Sequence, residues 1–89
     1  MREFSVKEHL RGKVDKLLKK DKETYDALMG KMNEILDCAD VNHYKNLRKP
    51  MQHLKRVHVL GPFVLTFHYI ESEDKIIFYD FDHHDKIYL

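Results

Sequence analysis

Apolar residues fall in two rhythms along the chain, one of period near 3.6 and one of period two. Leu10, Val14, Leu17 and Leu18 stand at i, i+4, i+7 and i+8 among lysines and an arginine. That spacing predicts a helix with one apolar stripe. Tyr25, Leu28, Met29, Met32, Ile35 and Leu36 continue the rhythm in a second helix, with Asp21 as its cap. A turn of about three residues between them predicts an antiparallel helical hairpin. Gly30, inside the second helix, costs about 1 kcal/mol relative to alanine. Close approach of another element would explain it.

After Cys38 the rhythm changes. The stretch "ADVNHYKNLRKPMQH" is irregular, and its Pro50 bars a regular helix interior. In "LKRVHVL", Leu54, Arg56, His58 and Leu60 fall on one side and Lys55, Val57 and Val59 on the other. "GP" at 61–62 marks a turn, "FVLTFHYI" a strand, "ESEDK" a hairpin loop and "IIFYDF" another strand. "EFSV" at 3–6 adds a short first strand. The fold class is therefore α+β in the order β-α-α-β-β-β. A helical hairpin packs on one face of a small antiparallel β-sheet, in one domain over residues 1–89.

Composition narrows the classes. No apolar run approaches the roughly 20 residues of a membrane span, and "MREFSVKEHL" lacks a signal-peptide core. A lone Cys38 permits no internal disulfide, so a cytoplasmic protein is expected. Cys38 reads as a helix-end core residue without a histidine partner at catalytic or zinc spacing. Net charge is only +1, but it is unevenly spread. Residues 41–60 hold Lys45, Arg48, Lys49, Lys55, Arg56 and three histidines with no acid, whereas 61–89 hold six acids against Lys75 and Lys86.

Three groups could carry chemistry. The basic block suits a polyanion such as RNA, or is merely a solvated loop and edge strand. Arg56 is its most pointed member, since a strand holds an arginine in place for a phosphate. The tail "DFDHHDKIYL" offers oxygen and nitrogen ligands, but neighbours on a strand face opposite ways. His83 and His84 are then not expected to share an ion, and the expectation is no metal and no cofactor. The tail is otherwise a polar edge with Tyr88 packed on the sheet. Joined, the two groups would set Arg56 near His83 or His84 and Tyr88. Such a site suits RNA cleavage by its own 2′-hydroxyl.

Two segments, "HYKNLRKPMQHLKRVHVLGPFVLTFHY" and "KIIFYDFDHHDKIY", resemble the RelE/ParE family of toxins from type II toxin–antitoxin modules. The lysine-rich helical hairpin before them is similar too. The resemblance implies a RelE-like toxin that cuts messenger RNA on the ribosome and is held inactive by a cognate antitoxin, with no direct DNA partner. It implies Arg56 of "KRVHV" as the phosphate-binding or transition-state arginine. Lys45 and Arg48 of "YKNLR" would hold the RNA backbone, Lys45 also assisting proton transfer. Tyr88 of "HHDKIY" matches a terminal tyrosine that stacks on a base or moves a proton. His83 or His84 matches a histidine preceding it, with His84 the favoured acid or base. Other branches poison DNA gyrase or have lost the nuclease, acting by protein binding alone. Asp80, Asp82 and Asp85 depart from a strongly basic toxin. They are expected to face away, to orient a histidine, or to mark a lost centre.

Overall fold

Strand β1 (Glu3–Val6) runs straight into helix α1 (Glu8–Lys20), and a computed structural model describes residues 1–87 of the chain. A single residue, Asp21, separates α1 from α2 (Lys22–Asp37). It serves both helices. Its backbone N–H donates to the Leu17 carbonyl, while its carboxylate accepts from the N–H and hydroxyl of Thr24 at 3.2 and 2.7 Å. Those bonds from Thr24 hold the Asp21 carboxyl below its usual range. The hairpin turn is thus tighter than the sequence suggests.

Leu10, Leu28, Met32, Ile35 and Leu36 form the buried helical stripe, with Val14, Leu17 and Met29 packed against it. Leu18 stays about half exposed. At 3.6 residues per turn it lies about 80° round from Leu10, on the rim of the stripe. Gly30 departs from expectation as well: a Cβ built there meets nothing within 4 Å, so no close approach explains it.

Strands β2 (Lys55–Leu60), β3 (Phe63–Ile70) and β4 (Lys75–His83) form the expected antiparallel meander. Gly61 takes a left-handed φ of 57° in the tight β2–β3 turn, where a side chain would be strained. The meander gains a fourth strand, since β1 pairs beside β4 in parallel, giving the order β1-β4-β3-β2. The sheet is therefore mixed. Phe67, Phe78, Leu65 and Ile76 face the helices in the main core.

Val64 and Thr66 alternate with Leu65 and Phe67, so they point to the face away from the helices, yet both are buried. The short C-terminal helix α3 (His84–Ile87) packs against β3 and β4. Among the described residues no helix is long and apolar enough to cross a membrane.

Arg2 ties three parts of the fold together. Its guanidinium bonds Asp74 of the β3–β4 loop at 2.7 Å, the Leu36 carbonyl at 3.2 Å and the Cys38 carbonyl. Asp74 also accepts the Tyr69 hydroxyl at 2.8 Å.

Candidate nucleic-acid cleft

The irregular segment before β2 is built by its own backbone. Leu47 N–H donates to the Leu54 carbonyl at 2.9 Å, Met51 to Arg48 at 2.9 Å and Leu54 to Met51 at 3.0 Å. Leu47 and Leu54 are buried beneath it, while Arg48, Lys49 and Pro50 remain exposed. The Asn46 amide closes the loop on the Gln52 carbonyl at 2.8 Å. Two leucines thus anchor a folded arm whose tip is cationic.

Lys55 fixes the base of that arm. It is buried, and its ammonium donates to the Tyr44 carbonyl and to Asn46 Oδ1, both at 3.1 Å. This corrects its expected place among the RNA contacts. Its stem points inward with Val57 and Val59, and its donors are used inside the protein. A chain of five cations read from composition does not show which of them turns in.

Between the arm and β2 lies a cleft of 480 Å³. Asn46, Arg48, Lys49, Arg56, His58 and Ile87 are among the residues on its walls. Three cations line it and, among the described residues, no carboxylate does. Arg56 is held on the strand, its N–H donating to the Lys45 carbonyl at 2.9 Å. A volume of this order accepts a nucleotide-sized ligand. His58, which the sequence reading left out of the site, stands two positions from Arg56 on the same side of β2. The alternation in "KRVHV" was the signal that could have found it.

The tail contributes one wall through Ile87, whereas Lys45, His83 and His84 are outside the lining. Tyr88 lies outside the described residues. Strand β4 ends at His83, and His84 opens α3 with its N–H on the Pro62 carbonyl at 2.9 Å. This switch overturns the expectation that the two histidines face opposite ways. Their rings sit 4.6 Å apart, tilted by 31°, with Asp85 Oδ1 at 3.0 Å from His84 Nδ1.

The other two aspartates face elsewhere. Beyond Val6 the first strand no longer covers the β4 edge, and α1 supplies Lys13 instead. Its ammonium reaches Asp80 at 2.7 Å, Asp82 at 3.0 Å and the Phe81 carbonyl at 3.2 Å. The two carboxylates in turn accept the N–H groups of Phe81 and His83 at 2.8 and 2.7 Å. Burial would raise the Asp82 carboxyl, but the His83 N–H and Lys13 prevail and hold it below its usual value. "DFD" therefore closes a free sheet edge, the place where strands of other chains otherwise add.

Cys38, the half-buried cap of α2, also differs from expectation. His43 Nδ1 lies 3.6 Å from its Sγ, brought there by the 3-10 turn at Val41–His43.

No protein-family model matches the chain. A curated protein of Methanocaldococcus jannaschii named "Putative toxin RelE4" is 44% identical over 88 residues, covering 99% of this chain and 92% of its own. The chain belongs to the RelE family of toxins. Among solved structures, this RelE-family toxin is similar to the toxin chain in the intact E. coli RelBE toxin–antitoxin complex. The TM-score there is 0.73 at 13% identity, over 93% of this chain and 96% of that one. A metal-bound toxin from Helicobacter pylori gives 0.76 at 12%, over 98% and 99%. At such identities these two likenesses speak for the fold.

Proposed function

We propose that this RelE-family toxin cuts messenger RNA on the ribosome and is neutralised by an antitoxin that covers the cleft. The observation that carries this is the cleft itself, with Arg48, Lys49 and Arg56 on its walls and no carboxylate among its described lining residues. Cations so placed attract a phosphodiester.

The chemistry needs no metal, because the nucleophile belongs to the substrate. The 2′-oxygen bonds to phosphorus as the bond from phosphorus to the 5′-oxygen breaks. One group takes the 2′-hydroxyl proton and another gives a proton to the leaving 5′-oxygen. The products are a 2′,3′-cyclic phosphate and a 5′-hydroxyl. Arg56, fixed on β2, is the donor for charge growing on the phosphate oxygens. Arg48 and Lys49 hold the flanking backbone from the arm. His58 on the cleft wall and His84 in the tail turn are the proton carriers we assign, with His83, Lys45 and Tyr88 around them. The arrangement of the E. coli RelBE complex supports a protein partner of the antitoxin kind for this chain too.

Expression in cells tests the reading. The wild type should arrest growth, and Arg56→Ala should relieve arrest while remaining folded. A toxin that lowers gyrase supercoiling and leaves transcripts whole would be the protein-binding branch instead.

A further inference from the structure

The tail turn carries a cluster that the cleft chemistry does not explain. His83, His84 and Asp85 each present one ligand atom, and these atoms all lie within 4.8 Å of one another. Asp85 Oδ2 is 3.6 Å from His83 Nδ1, and Asp85 Oδ1 is 3.0 Å from His84 Nδ1. The cause is local. A strand would send consecutive rings to opposite faces, but the chain turns into α3 at His84, so both imidazoles lie together against the carboxylate.

We propose that His83, His84 and Asp85 bind a transition-metal ion of the Zn²⁺ or Co²⁺ kind. Two imidazoles with one carboxylate form a borderline donor set that favours such ions over Mg²⁺ or Ca²⁺. Ligand atoms on a tetrahedral zinc are about 3.3 Å apart for bonds near 2.0 Å. The separations from Asp85 to the two rings, 3.6 and 3.0 Å, lie on either side of that spacing. Lys13 already neutralises Asp80 and Asp82, which leaves Asp85 as the carboxylate beside the rings. Three protein ligands leave positions for water. An ion here also clamps the turn that brings Ile87 to the cleft. It takes His84 away from proton transfer, so it inhibits cleavage. This second half rests on the reading of the cleft given above.

Titration of the purified full chain with Zn²⁺, followed by calorimetry, tests the site, with Co²⁺ absorption as an independent readout of coordination. One ion per chain is expected. His83→Ala and His84→Ala should each weaken binding by at least about tenfold, and Cys38→Ala should leave it unchanged. Circular dichroism checks that the variants fold, and Asp85→Asn repeats the test with both rings kept. Absence of saturable binding overturns the proposal. So does binding that survives loss of both histidines. In the cleavage assay Zn²⁺ should suppress, and a chelator restore, the wild-type rate; undiminished cleavage at saturating Zn²⁺ overturns the inhibitory role. A chain that binds the ion but never cuts RNA keeps this site and loses the reading of the cleft.

Discussion

The ammonium of Lys13 lies 2.7 Å from Asp80 Oδ1, bridging the first helix to a stretch of β4 that pairs with β3 on one side and lies beyond the reach of β1 on the other. It also holds Asp82 and the Phe81 carbonyl. One side chain thus joins two carboxylates that would otherwise repel, and it does so at a sheet edge. Lys13→Met leaves Asp80 with the more distant His9 at 3.6 Å and removes the ammonium from Asp82 and the Phe81 carbonyl. Discounted for partial exposure, the loss should be about 1 kcal/mol in urea unfolding. The opened edge should also raise self-association in size-exclusion chromatography.

Gly30 points the other way. It lies in the middle of α2 with room for a methyl group. Gly30→Ala should stabilise the protein by about 1 kcal/mol. For a domain of this size that is a rise in Tm of about 4–8 °C. An unchanged or lower Tm would mean the glycine serves a contact absent from this structure.

Lys55 should behave as a support for the arm rather than as an RNA contact. Lys55→Met retains much of the buried stem but strands the Tyr44 carbonyl and Asn46 Oδ1. The cost should be about 1–3 kcal/mol. Limited proteolysis should cut the 47–54 segment faster, and the salt dependence of RNA binding should stay as in the wild type. A flatter salt dependence would return Lys55 to the list of phosphate contacts.

Acid and alkali should loosen the Arg2–Asp74–Tyr69 tie from opposite sides. Arg2 first, then the Tyr69 hydroxyl, holds the Asp74 carboxyl below its usual value. That contribution is present above the unfolded aspartate pKa of about 3.9 and fades as pH falls through the lower folded value. The bond to Asp74 raises the Tyr69 hydroxyl. Its share is present below the unfolded tyrosine pKa of about 10 and fades as pH rises through the folded one. In melting curves across pH, Asp74→Asn should flatten the acid limb and Tyr69→Phe the alkaline limb. A variant that parallels the wild type at both ends would show the tie to be idle.

How far the sequence reached depends on what each signal can encode. The helical stripe and the alternation of the meander are repeated many times, so both were legible, as was Asp21 as a cap. The direction of β1 was not, because four residues carry no record of which neighbour they join or in what sense. Arg56, Arg48 and Lys49 were picked out by charge and do share a cleft. Lys55 belonged to the same run, and only packing reveals that it turns inward. The tail misled through an extrapolated strand. Its alternation stops at His83, one residue before the expectation of opposite-facing histidines needed it. The aspartates gained their meaning from Lys13, 67 and 69 residues away in the chain.

The most direct measurement is a primer-extension map of transcripts after induction of the wild type and of Arg56→Ala. New 5′ ends inside translated messages should appear within the wild-type culture and fall about a hundredfold or more in the variant. Growth arrest with every transcript intact, or cuts as frequent in Arg56→Ala as in the wild type, would contradict the account of the cleft.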